Sequence, residues 1–127
     1  DRIEEFVETK KENYNLYGKK IAKIEGLDLL PFNNGTRPNY WFYSVIVDED
    51  KYGIDRDELL EKLNEVGIQA RPLWGLMNEQ KPFKNCLAYE IEKAKYYVNN
   101  LINIPCSTNL NKEEVLQVVD KLEEFKR

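Results

Sequence analysis

The segment Tyr40–Val47 constrains the fold more than any other part of this sequence. Nearly every residue in it is aromatic or β-branched, a composition that is typical of β-strands. Because both of its alternating faces are apolar, the segment predicts a strand that is covered on both faces. Such a strand needs neighbouring strands and packed helices, so the chain must form a sheet with helices against it.

Helical patterns occur on both sides of this strand. Residues 1–24 predict one long helix that Gly26 caps, and only Lys10 interrupts its apolar stripe. Asp55 begins a second helix, residues 86–99 form a third, and a capping-box residue at position 111 begins the last. The predicted inward-facing residues are Ile3, Val7, Tyr14, Tyr17, Ile21, Ile24, Leu59, Leu60, Leu63, Val66, Leu87, Ile91, Ala94, Val98, Val115, Val118, Val119, Leu122 and Phe125.

Two further segments, Ile68–Leu73 and Leu101–Ile104, read as strands, and residues 27–39 read as a connector with turn signals. Three short strands are too few to carry four helices on both faces. The prediction is therefore an α+β two-layer sandwich. It consists of a small, mostly antiparallel sheet of about three strands with helices packed on it, preceded by the long N-terminal helix.

Charge and hydropathy exclude several classes of protein. The net charge is −4, and the lysines are scattered among glutamates, so the sequence predicts no nucleic-acid partner. No apolar run approaches the length of about 20 residues that a membrane span needs. No signal-peptide pattern opens the sequence. We expect a cytoplasmic protein that contacts no membrane.

The chain has no histidine and only two cysteines, Cys86 and Cys106. It therefore has no Ser-His or Cys-His pair and no zinc-ligand pattern, and it lacks both common phosphate-binding loop motifs. The sequence accordingly predicts no catalytic residue and no metal site, and we expect both cysteines to be free thiols. In a catalytic setting, such a chain would supply contacts rather than the reacting group.

The segment 67–83 is unusual for a loop. It runs from a helix-ending glycine through a strand into a non-periodic stretch that carries Trp74, Leu76, Met77 and Phe83. Loops with this apolar content must pack against something. Two interpretations stay open: the loop fills its own local core, or it lines a ligand site.

Four motifs together resemble a known family: residues 55–60, Gly67–Trp74, Met77–Phe83 and Asn103–Ser107. They resemble the C-terminal small domain of the DegT–DnrJ–StrS family, the PLP-dependent nucleotide-sugar aminotransferases of PLP fold type I. The likeness is strongest to members that aminate 4-keto sugars of the legionaminic-acid or bacillosamine type. It covers nearly the whole chain, so residues 1–25 correspond to the helix between the two domains and residues 26–127 to the small domain.

The resemblance implies that this chain is part of a larger enzyme of bacterial surface-glycan biosynthesis. The family's large domain carries the lysine that binds PLP and the residues that hold its phosphate, and no lysine here lies in that motif. No catalytic or cofactor-binding residue is therefore assigned. We expect the chain alone to be inactive and to bind no PLP. The full-length protein would be a PLP-containing homodimer, with a nucleotide-linked sugar as substrate and glutamate as amino donor.

The resemblance also assigns substrate-binding roles in the loop that family members bring over the active-site cleft. Arg71 would meet a phosphate or carboxylate, because its guanidinium is permanently charged and fork-shaped. Trp74 would form a flat apolar wall, and Asn78 and Gln80 would hydrogen-bond sugar hydroxyls. Family members often have histidine where Asn78 stands. The alternatives are a surface ion pair for Arg71, core filling for Trp74 and solvent contact for the two amides. The rival to the whole assignment is a free-standing α+β module that binds a small ligand or a protein.

Overall fold

The computed structural model describes residues 2–127. Its helices are α1 (Ile3–Ile21), α2 (Glu49–Tyr52), α3 (Arg56–Glu65), α4 (Glu92–Asn100) and α5 (Lys112–Glu124). Its strands are β1 (Leu27–Leu29), β2 (Tyr43–Val47), β3 (Arg71–Pro72) and β4 (Leu101–Ile104). Two 3₁₀ turns, Met77–Glu79 and Lys81–Phe83, lie between β3 and α4. Within the described residues, no helix is long and apolar enough to cross a membrane.

The strands form one sheet in the order β1-β2-β4-β3, and all three pairings are antiparallel. The predicted α+β class is confirmed, but the sheet has four strands rather than about three. The added strand β1 lies in the segment 27–39, which the sequence predicted as a connector. Three residues are too few to show a periodic pattern, and β1 exists because Leu27 to Leu29 pair with Val47 to Val45.

One face of the sheet carries the core. Tyr43 and Val45 of β2 are fully buried, and Val45 lies opposite Ile102 of β4. Helices α1, α3 and α5 cover this face with their apolar stripes. The Tyr52 hydroxyl, also buried, donates to the Leu122 carbonyl at 2.5 Å and so ties α2 to α5. The buried residues that α1, α3 and α5 contribute to this cluster are Tyr17, Ile21, Leu59, Leu63, Val115, Val118, Val119 and Leu122.

The opposite face of β2 is only half covered. Along β2, buried residues alternate with the half-buried Ser44 and Ile46. The prediction that both faces of this strand are covered holds only in part, because α1, α3 and α5 pack on the core side. On the second side Leu101, which lies opposite Ile46, is buried, whereas Ser44 and Ile46 are half-buried. We call the second side the open face of the sheet.

The first helix also differs from its prediction. It ends at Ile21, and residues 22–24 continue in turns rather than in the helix. Asp1, which the prediction included, lies outside the described residues. Tyr17 and Ile21 are buried, whereas Ile3 is 67% exposed. The apolar stripe is thus covered only in the C-terminal part of α1, where the sheet and α5 reach it.

The starts of α3 and α5 are confirmed. The Asp55 side chain accepts from the Glu58 amide at 2.8 Å. Asn111 and Glu114 form the reciprocal capping box that the sequence predicted. Val66 is 47% exposed rather than inward, because α3 ends at Glu65 and the chain turns away there.

The regions around α4 and β3 show the largest errors of the sequence prediction. Helix α4 begins at Glu92 instead of residue 86, and the predicted inward residue Leu87 is 97% exposed. Glu90 adopts a positive φ of 46°, which a continuous right-handed helix cannot contain. Strand β3 has only two residues, at the sheet edge, because Pro72 has no N–H to donate to a ladder. Strand β2 begins three residues later than predicted, after Tyr40, whose φ is also positive.

Candidate functional site

A row of polar side chains crosses the open face of the sheet. Arg71 of β3 lies opposite Asn103 of β4, and Asn103 lies opposite Ser44 of β2. Directly opposed residues of antiparallel strands point to the same face. Since Tyr43 and Val45 point into the core, this row points away from it. The Ser44 hydroxyl donates to the Asn103 side-chain oxygen at 2.7 Å, which fixes the middle of the row.

Two adjoining pockets lie over the Arg71 end of this row, and both are lined by Phe42, Arg71 and Asn103. One has a volume of about 600 Å³ and extends along residues 72–75. The other has a volume of about 420 Å³ and extends towards α1 and the segment after β4. We call the two together the Arg71 groove.

Trp74 forms one wall of the Arg71 groove. Its side chain is 74% exposed, so it does not fill the core. Its ring meets Phe42 edge-on, with the ring centroids 6.0 Å apart. This contact orients an indole face that the rest of the described chain leaves uncovered.

The other predicted substrate-binding residues are placed differently. Arg71 is exposed and forms no ion pair with any residue of the described part of the chain. The Gln80 amide lies beside Gly75, at the rim of the groove. Asn78 is half-buried in a 3₁₀ turn and lines neither pocket. The structure thus brings Arg71 and Trp74 together with Gln80 nearby, and the binding roles of all four residues stay predictions.

Lys10 is a groove residue that sequence reasoning missed. Its ammonium donates to the Trp41 carbonyl at 3.3 Å and to the Cys106 carbonyl, and it lies 5.4 Å from the centre of the Tyr43 ring. The available signal was the interruption of the apolar stripe of α1 by this one charged residue. Trp41, Phe42 and Asn103 were also missed as groove residues, because in sequence they read only as parts of strands.

Tyr43 holds the backbone of α1 at Lys10. Its hydroxyl donates to the Lys10 carbonyl at 2.7 Å. Burial, with a smaller contribution from Cys106, raises the pKa of the Tyr43 hydroxyl. The phenol therefore keeps its proton at neutral pH and remains a donor. Backbone and side chain of Lys10 together fasten α1 to the ends of β2 and β4.

The residues of the groove do not fit PLP by themselves. PLP enzymes bind the cofactor through a lysine amine and place a charged partner at the pyridine nitrogen. Among residues 2–127, Lys10 is the only lysine that lines the groove, and its ammonium already donates to two carbonyls. Over the same residues no carboxylate lines the groove, and no cluster of three or more metal-binding side chains occurs. We assign no reaction step to this chain. Cys86 and Cys106 are both free.

A second groove of about 650 Å³ lies between residues 66–69 and α5. It contains none of the four predicted site residues, and three carboxylates, Glu114, Asp120 and Glu124, line it against one lysine. A surface of this charge disfavours a phosphate-bearing ligand. The Arg71 groove is therefore the candidate functional site.

Comparison with known proteins points to one family. A family model described as the DegT/DnrJ/EryC1/StrS aminotransferase family matches residues 1–123. A lipopolysaccharide biosynthesis protein of Salmonella typhimurium, RfbH, is 30% identical over 130 residues, which cover 98% of this chain and 30% of that protein. A GDP-perosamine synthase of Caulobacter vibrioides is 22% identical, over 98% of this chain and 33% of that enzyme.

Solved structures of similar fold include DesI, crystallised in the presence of its TDP-sugar product. This chain superposes on it with a TM-score of 0.89 at 20% identity, over 98% of this chain and 32% of DesI. The likeness at this identity shows a shared fold. The chain spans about a third of the length of the relatives that it matches.

Proposed function

This chain belongs to the DegT/DnrJ/EryC1/StrS aminotransferase family, and from that premise we propose that it is the C-terminal small domain of a larger PLP-dependent enzyme. The enzyme transfers an amino group, with glutamate as donor, to a nucleotide-linked 4-keto sugar for a bacterial surface glycan. Residues 1–25 connect the two domains and residues 26–127 form the small domain. The large domain of the same polypeptide binds PLP and carries the lysine that forms the Schiff base with it. The enzyme acts as a homodimer in the cytoplasm.

The observation that carries this proposal is the Arg71 groove on the open face of the sheet. A guanidinium that pairs with no carboxylate of residues 2–127 and an uncovered indole side chain lie in the same groove. These groups suit a ligand that combines phosphate charge with flat sugar and base surfaces. In the proposed enzyme, this chain binds and orients the substrate, and it excludes water from one side of the cleft.

The names of the similar proteins support a nucleotide-linked sugar as substrate. One relative is a GDP-perosamine synthase, another takes part in lipopolysaccharide biosynthesis, and DesI has a TDP-sugar product. The share of about a third that this chain covers in each supports a further large domain. The 4-keto position of the amination follows from the motif resemblance.

We expect the isolated chain to form no specific Schiff base with PLP, because no groove lysine has a free amine beside a partner for the pyridine nitrogen. The measurement is the visible spectrum of the chain with PLP before and after borohydride reduction, followed by peptide mapping. A one-to-one adduct on a single lysine would contradict the expectation. Scattered labelling of several exposed lysines would be consistent with it.

We expect Arg71→Ala to lower kcat/KM for the nucleotide sugar by roughly 10- to 100-fold in the full-length enzyme, since a hydrogen bond to a charged group contributes about 1.5–3 kcal/mol. Arg71→Lys should recover part of the loss, because it keeps the charge but not the fork. The matched control is Arg37→Ala, which removes an exposed cation that pairs with Glu4 instead. Unchanged kinetics for Arg71→Ala, with a folded protein, would remove Arg71 from the site.

The decisive test of the function is the coding sequence upstream of Asp1 and an assay of the protein that it encodes. The proposal expects a large domain with a PLP-binding lysine, and amination of a nucleotide-linked 4-keto sugar with glutamate as donor. A stop codon or an unrelated sequence upstream would favour the rival, a free-standing binding module.

A further inference from the structure

Two cations share the half of the Arg71 groove that faces α1. Lys10 and Arg71 both line this pocket of about 420 Å³. Neither forms an ion pair with any residue between positions 2 and 127. The other lining residues in this range are neutral. On a chain whose net charge is −4, this pocket is a local concentration of uncompensated positive charge.

Lys10 is held in place rather than swinging freely. Its ammonium has three N–H donors, and the carbonyls of Trp41 and Cys106 occupy two of them. The ring of Tyr43 lies on another side of the ammonium. One donor therefore remains for a ligand, and the cost of ordering this long side chain is already met by the fold.

Neutral donors and an aromatic surface complete the pocket. The Ser107 hydroxyl accepts from the Asn109 amide at 3.2 Å, so its own O–H stays available to a ligand. Trp41 is 61% exposed and stacks on Phe42, with ring centroids 4.9 Å apart and planes 15° apart. The indole forms a rigid side of the pocket next to the two cations.

We propose that Lys10 and Arg71 together bind a diphosphate group in this half of the Arg71 groove. Two fixed cations with a hydroxyl donor match the charge and the several acceptor oxygens of a diphosphate. Trp74, on the other half of the groove, is then left for the sugar. The identification of this group as part of a nucleoside diphosphate rests on the proposed function, whereas the existence of the site does not.

The test is a titration of this chain with three probes: inorganic pyrophosphate, thymidine diphosphate and thymidine. Binding is monitored by the amide chemical shifts in NMR spectra. Pyrophosphate and thymidine diphosphate should shift the amides of residues 41–42, 71 and 106–107. Thymidine should not shift them at the same concentrations. Tighter binding of thymidine diphosphate than of pyrophosphate identifies a nucleotide as the natural ligand, and equal binding identifies a free diphosphate.

Variants distinguish a built site from diffuse attraction. Lys10→Gln and Arg71→Gln should each raise the Kd for pyrophosphate by at least roughly tenfold. The matched control is Lys11→Gln, which removes the same charge from the neighbouring residue, whose ammonium pairs with Glu8 at 3.2 Å. It should change the Kd by less than about twofold, as expected for a remote, screened charge. Lys10→Arg keeps the charge and should recover most of the affinity.

Three results would overturn the site: no shifts at these amides, thymidine binding as tightly as thymidine diphosphate, or equal weakening by all three charge-removing variants. Thermal unfolding of each variant without ligand shows whether Lys10→Gln still folds. Arg71→Gln tests the site without removing the contacts of the Lys10 ammonium with the Trp41 and Cys106 carbonyls. Pyrophosphate binding without aminotransferase activity of the full-length protein would refute only the proposed function. Activity that depends on Arg71, without pyrophosphate binding here, would refute only the diphosphate site.

Discussion

Gly26→Ala is expected to destabilise the chain by about 2–5 kcal/mol, the sum of left-handed backbone strain and overpacking. Gly26 has a φ of +87°, and a Cβ there would lie 2.4 Å from the Tyr52 amide nitrogen. Tyr52 cannot easily move away, because it is fully buried and its hydroxyl bonds the Leu122 carbonyl. The measurement is the free energy of unfolding from urea denaturation.

Gly67→Ala is the matched control for this substitution. Gly67 has a similar φ of +81°, but a Cβ there would meet no atom within 4 Å. Its loss should be about 1–2 kcal/mol, from backbone strain alone. Equal losses for the two variants would mean that the close approach of Gly26 to Tyr52 contributes nothing.

Leu122→Ala is expected to lower the free energy of unfolding by about 2–5 kcal/mol, whereas Trp74→Ala should change it by no more than about 0.5 kcal/mol. Leu122 is fully buried between α5 and the sheet, and Trp74 is 74% exposed. The larger side chain is therefore the less costly one to remove. Urea denaturation of both variants provides the comparison.

If Trp74→Ala lowered the free energy of unfolding by more than about 3 kcal/mol, Trp74 would be a core residue. Residues 67–83 would then be scaffold rather than a ligand-binding segment. In the full-length enzyme the expectation reverses. There Leu122→Ala should leave kcat/KM for the nucleotide sugar unchanged at temperatures where the variant is folded, and Trp74→Ala should lower it. The pair thus separates packing from substrate contact.

The local sequence was sufficient wherever a short-range interaction decides the structure. The caps at Asp55 and Asn111 each join residues three positions apart, so they can be read directly from the chain. The apolar stripe of α5 is similarly complete within thirteen residues. The local sequence also predicted the α+β class, since one strongly apolar strand and several amphipathic helices leave few other arrangements.

The structure of the site depends on contacts that no local pattern contains. Sequence placed Arg71 and Trp74 on one segment, but it did not place Lys10 beside them. Lys10 and the Cys106 carbonyl, which it contacts, are 96 positions apart. Strand β1 and the open face of β2 were missed for a similar reason, because pairing and burial depend on which distant element arrives at each side.

The sequence by itself therefore determined the main helices, the central strand and the family resemblance, because helix caps, side-chain periodicity and short motifs act over a few residues. Only the tertiary structure decided which face of the sheet stays open, that Trp74 is exposed on it, and that two cations from α1 and β3 share one pocket. These features arise from strand pairing and burial between segments far apart in the chain, which the order of residues does not reveal.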